Sequence, residues 1–415
     1  MLKFFFSKIE FPSFIFKETP IVLIGTLALR LSKFFIFLFA ASKLGPNLWG
    51  SWNILLLFSM YFSHFHFGLI NAFNREGPIY IDDKITFENI HKNVLSGIFI
   101  SLFIFTVILF FIVSNYSVDS ETIRLFVFYF LFNQLYYFTE IYYKVKIQFK
   151  KIAFYQIFRS IFLILSSFFL VDTFLINGLI ISLMIPDIFF VLINIKIFKK
   201  IKFNLDTLLL KKYVRIGFPI MIVGFSFMLI QTIDRLIILR FFNQQDLGIY
   251  SLGGTVFQAL LIFPQILSMQ FYPRMIRSYG KDKNKIALRN SFFNQLFISL
   301  LIVAPIILFA IFSIPLIILN FLPDYIDSIH IAQVLTAAVI FLPITFVAGN
   351  VLNILDLQKK YLTFQIFAIS VNLFLSILAI SFNFGIQGVA LATFISFFSY
   401  SIIIILYLLN YVFKL

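Results

Sequence analysis

The feature that most constrains this chain is a run of about twenty mostly apolar residues that recurs from one end to the other. A helix needs about that length to cross a bilayer, because each residue advances it by about 1.5 Å through a core about 30 Å thick. The criterion gives twelve spans: Thr19–Ala41, Leu48–Ala72, Val94–Val113, Ile123–Tyr143, Ile152–Val171, Phe174–Ile195, Ile216–Leu239, Leu247–Phe271, Phe292–Leu319, Ile331–Ile354, Tyr361–Ile380 and Ile386–Tyr407. Barrel strands would be about half as long and would alternate apolar with polar residues, and these runs do not. With 61% hydrophobic and 12% charged residues, the chain has no room for a soluble catalytic domain. The expected fold is an all-α polytopic membrane protein.

Orientation follows from basic residues in the short loops. With a cytoplasmic N-terminus, 26 Lys and Arg fall on the inner side, the largest groups being Lys196–Arg215 and Arg274–Arg289. Only Lys43, Arg124 and Arg240 fall outside. Both termini are therefore expected in the cytoplasm, and the net charge of +15 reports inner loops rather than a nucleic-acid surface. Met1–Lys17 mixes Phe with Lys and lacks a small-residue cleavage site, which suits an interfacial segment rather than a removable signal. The 62 Phe fit the composition drift of an AT-rich genome and carry no functional weight by number alone.

Two regions match about half a chain apart. Pro20-Ile21 with Gly25 corresponds to Pro219-Ile220 with Gly224, and Lys43-Leu44-Gly45 with Gly50 to Asp246-Leu247-Gly248 with Gly253. Parallel repeats of six helices are a transporter architecture, with the substrate held between them. The expected lobes are 1–195 and 216–415, joined by a basic cytoplasmic linker at 196–215.

Ionisable groups inside spans are costly and point to function. Arg30 and Lys33 sit three apart on one helical face with Thr26. Either they flank a wet, anion-accepting cavity, or one pairs with Asp187 while the other snorkels. Arg159, about two turns into its span, is expected to snorkel. Asp187 follows Pro186, which interrupts backbone hydrogen bonding, so it suits an ion site or a partner for Arg30. Glu140 is expected to be solvated. Asp234 and Arg235 are neighbours and point about 100° apart, so each needs its own partner.

No catalytic set emerges. The chain has no Cys and four dispersed His, so neither a thiol nucleophile nor a metal centre is expected. There is no G-x-S-x-G, H-E-x-x-H or P-loop. No cofactor is implied, and transport rather than enzymatic activity is the expected role.

The stretch Gln231-Thr-Ile-Asp234-Arg235-Leu-Ile-Ile-Leu-Arg240, then Asp246-Leu-Gly248-Ile-Tyr250 and Pro273-Arg274, resembles the Wzx-type flippases of polysaccharide biosynthesis, relatives of MATE exporters and lipid II flippases. Gly68-Leu-Ile-Asn-Ala72-Phe-Asn-Arg75 is similar to the same family, and length and span count fit along the chain. The resemblance implies translocation of an undecaprenyl-pyrophosphate-linked oligosaccharide of O-antigen or capsule type across a bacterial inner membrane. Arg30, Lys33, Arg159 and Arg235 would be the substrate-binding cations, since Arg offers a forked match to phosphate oxygens. Asp187 or Asp234 would couple a proton or sodium ion, or pair structurally. A glycan polymerase is a natural partner. The alternatives are a cation-coupled small-molecule exporter and a membrane glycan polymerase; the latter commonly carries a large outer loop, which this chain lacks.

Overall fold

The computed structural model describes residues 13–116, 118–199, 206–280 and 283–413, with side chains from residue 24 onward. The expected interfacial segment Met1–Lys17 and inter-lobe linker 196–215 therefore fall partly outside the described residues. Every element among the described residues is helical. In chain order they are α1 (Ser13–Phe62), α2 (Leu69–Glu76), α3 (Lys84–Val113), α4 (Ser120–Val145), α5 (Phe149–Ile193), α6 (Ile195–Phe198), α7 (Thr207–Ile230) and α8 (Ile233–Phe241). There follow α9 (Gln244–Leu260), α10 (Ile262–Tyr279), α11 (Lys285–Phe321), α12 (Ser328–Ala338), α13 (Leu342–Ile354), α14 (Gln358–Ser381) and α15 (Gly385–Tyr407). Among the described residues, nine helical stretches are long and apolar enough to cross a membrane.

The breaks are where local chemistry demands them. α1 turns a corner at Gly45, whose φ of 67° is in the left-handed region that glycine alone enters without steric cost. Pro46 then opens the next helical stretch, at the first position, where a missing N–H costs nothing. α5 turns at Leu175, and Gly178 packs so tightly there that a Cβ would come 1.9 Å from Leu170 O. Pro186 stays inside α5 and does not end it, while the turn at Leu175 lies beside the boundary expected between Val171 and Phe174.

The second expected span is not continuous. Helix stops at Phe62 and resumes at Leu69, so His64 and His66 sit in a turn. The seventh breaks at Gln231–Thr232, which makes Asp234 part of the first turn of α8 rather than a late residue of one helix. The eighth divides between α9 and α10 at Leu261. At the stretch read as a linker, helix α7 already begins at Thr207.

The chain divides into two compact units: residues up to Ile36 with Phe62–Pro219, and Phe37–Tyr61 with Ile220–Leu415. The corner around Gly45 groups with the C-terminal unit. In the first unit, Phe73, His91 and Phe138 stack as parallel rings (His91 and Phe138 centroids 5.9 Å apart) within a core that includes Tyr136, Phe190 and Phe198.

Candidate functional site

In the first unit, α1, α4 and α5 bring five ionisable side chains into one neighbourhood. Gly25 lets the helices approach: a Cβ there would meet Ala153 Cα at 2.9 Å. At the next residue, the Thr26 hydroxyl donates to Gln156 Oε1 at 3.1 Å, and Gln156 Nε2 donates to Glu140 Oε1 at 2.5 Å. Glu140 is thus half-buried and hydrogen-bonded, not the solvated group expected.

Arg159 corrects a second expectation. It does not snorkel: it is 4% exposed, with Nη2 2.8 Å from Asp187 Oδ1 and donating to Oδ2 at 2.9 Å. Asn133 Nδ2 also donates to Asp187 Oδ2 at 2.9 Å, and the guanidinium lies 4.3 Å over the Tyr136 ring. A carboxylate and a guanidinium removed from water need this density of partners. Asp187 is therefore taken by Arg159, not by Arg30 as the pairing alternative had it, and Arg159 is already committed rather than open to an anion.

Lys33, half-buried, is within electrostatic reach of Arg159, Asp187, Glu140 and Arg30, while Arg30 is exposed and feels Glu140. With all five groups ionised, the cluster carries one more positive than negative charge. Such a surplus attracts an anion while neighbouring carboxylates limit the repulsion between cations.

In the second unit, Asp234 is 3% exposed. Its Oδ2 accepts from Tyr250 Oη at 2.5 Å and Thr393 Oγ1 at 3.2 Å, and its Oδ1 accepts from Arg235 N at 2.8 Å. Asn372 Nδ2 extends this network to Thr393 Oγ1 at 3.1 Å. Arg235 points elsewhere, as the sequence spacing requires. It is 7% exposed, lies against Gly254, and its Nε has no hydrogen-bond partner. A small cavity lies between these groups, lined by Gln231, Asp234, Arg235, Gly254, Phe257 and Thr393.

Reading the sequence missed Glu140, Gln156, Tyr250, Asn372 and Thr393 as members of these networks. Gln156 and Arg159 stand three apart on α5 and so share a face, a signal that was available. Tyr250 and Thr393 are 143 residues apart, and nothing local links them. Among the described residues no group of His, Asp and Glu could hold a metal ion.

These observations define a helical membrane protein with buried charge networks in each of two units. The chain belongs to a family of polysaccharide biosynthesis proteins, whose model matches residues 82–325. No curated protein sequence is detectably similar to it. Solved structures share its fold at low identity. An inward-facing multidrug resistance MATE family transporter of the MOP superfamily superposes with a TM-score of 0.74 over 93% of this chain and 93% of its own, at 13% identity. An outward-facing transporter of the same description gives 0.67, covering 95% and 94% at 13% identity. A MOP superfamily transporter from Pyrococcus furiosus, described as having a binding pocket of reverse polarity, gives 0.63 with the same coverage and identity.

Proposed function

We propose that the chain is a flippase that carries an undecaprenyl-pyrophosphate-linked oligosaccharide repeat unit from the inner to the outer leaflet of a bacterial inner membrane, by alternating access. Membership of a polysaccharide biosynthesis family supports the substrate class, and the shared MATE-type fold supports movement across the membrane. The observation that carries the reading is the surplus of cations around Arg30 and Lys33 once Asp187 is engaged by Arg159. A pyrophosphate entering low dielectric needs fixed positive charge, and these two residues supply it from one helical face.

The reading includes twelve spans. In this reading the non-helical residue inside each of Ile24–Phe62 and Phe149–Ile193 divides that stretch into two crossings, and α4 is counted as one more beside the nine long apolar stretches among the described residues. With both termini in the cytoplasm, the basic loops fall on the inner side.

The test is Arg30→Gln with Lys33→Gln in a strain that depends on this chain for surface glycan. Glycan display should be lost at normal protein level. Full display in the double variant would remove the pair from the mechanism. Drug resistance conferred by the wild-type chain, without any effect on glycan, would favour a small-molecule exporter instead.

A further inference from the structure

The corner between the first two spans and the start of α9 meet through a reciprocal contact. A Cβ on Gly50 would lie 2.0 Å from Gln244 O, and a Cβ on Gly248 would lie 1.9 Å from Pro46 O and 3.0 Å from Gly50 N. The two contacts are equivalent under one offset, about 198 residues, which sets Pro46 against Gln244 and Gly50 against Gly248 as corresponding positions. Pro46 and Gln244 are each the first residue after a corner, so each glycine stands four residues into its helix. This register replaces the sequence match of Gly45 with Gly248. The two repeats touch each other with the same atoms, and only glycine lets the backbones come so near.

Polar groups tie the contact. Gln244 Nε2 is 2.9 Å from Asn47 O, 2.9 Å from Asn47 Oδ1 and 2.6 Å from Ser51 Oγ. Asn243 and Asp246 form a capping box that fixes the start of α9, presenting Gln244 to the corner. Asn47 is exposed. A joint made of backbone and amides exchanges its partners for water at small net cost, whereas an apolar joint would expose surface that water rejects. The joint is therefore suited to repeated parting. By the charge distribution it lies on the outer side, between the loops carrying Lys43 and Arg240.

We propose that Gly50, Gly248, Asn47 and Gln244 form an outer latch, closed in this structure, that must part for the chain to open outward. The proposal rests on the alternating-access reading above. The chain has no cysteine, so a pair can be introduced cleanly. In membranes holding the full-length chain, Asn47→Cys with Gln244→Cys should cross-link under copper phenanthroline, export of the glycan should stop, and reductant should restore it.

Complete cross-linking with undiminished export would overturn the latch and leave the flippase reading standing. Failure to cross-link would overturn the adjacency itself. If the wild-type chain exports no glycan, the flippase reading fails, and the latch is then read without substrate. Spin labels on the exposed positions Ser42→Cys and Gln245→Cys leave the joint intact. They should report a short and a long distance, and a single short distance in both detergent and lipid would sink the latch. The same labels serve if the first pair does not fold.

Discussion

Arg159 and Asp187 form a buried ion pair between the two halves of α5, with Nη2 2.8 Å from Oδ1 and the carboxylate 0% exposed. Removing one partner leaves the other charge stranded away from water, which costs about 3–5 kcal/mol. Arg159→Met alone, or Asp187→Leu alone, should each lower the melting temperature of the detergent-solubilised chain sharply. The double replacement should recover most of that loss, because two apolar side chains of similar volume leave no orphan charge. Equal, additive losses in the singles and the double would show that the two side chains are not coupled.

Gly25 and Gly224 look equivalent in the sequence, each following a Pro-Ile start by the same spacing, but they differ in packing. A Cβ on Gly25 would press on the Ala153 backbone at 2.9 Å, whereas one on Gly224 meets nothing within 4 Å. Gly25→Val should therefore destabilise the first unit by about 1–3 kcal/mol, as overpacking does. Gly224→Ala should be neutral or stabilise by up to about 1 kcal/mol, since alanine favours helix. Thermal unfolding of the two variants side by side checks the pair, and equal behaviour would contradict the close α1–α5 approach.

Much of the fold was legible because apolar length is a local quantity. The runs near 94–113, 361–380 and 386–407 reappear inside α3, α14 and α15. The breaks were less so. Gly45-Pro46 announces its corner by composition, and the turn at Leu175 lies beside the boundary read between Val171 and Phe174, but the stop at Phe62 has no punctuating residue before Gly68. Charges were found where they were sought, yet their partners were misjudged. Whether Asp187 meets Arg159 or Arg30 depends on how helices are rotated and spaced, and hydropathy carries no information on that. The Asp234 network was invisible for the same reason: its donors come from α9 and α15.

Tyr250 donates to Asp234 Oδ2 at 2.5 Å inside a fully buried site. Hydrogen bonds to charged groups contribute about 1.5–3 kcal/mol, so Tyr250→Phe should lose an amount in that range. Thr393→Val removes a longer bond of 3.2 Å, and also a link to Asn372, and should cost less. Combining Tyr250→Phe with Asp234→Asn should cost less than the two losses added, because the neutral amide no longer needs the strong donor. Strict additivity in a double-mutant cycle would argue against the bond.

Arg235 and Gly254 allow binding to be separated from stability. A Cβ on Gly254 would fall 2.1 Å from an Arg235 guanidinium nitrogen and 2.9 Å from its central carbon. The obstructed group is the far end of a flexible side chain, so Gly254→Ala should turn the guanidinium away rather than break the helix. Its effect on stability should stay within about 1 kcal/mol. If Arg235 offers its unpartnered Nε to the anionic headgroup, Gly254→Ala should reduce glycan export in the same direction as Arg235→Gln, with melting temperature nearly unchanged. Export that survives both substitutions would assign Arg235 to packing alone.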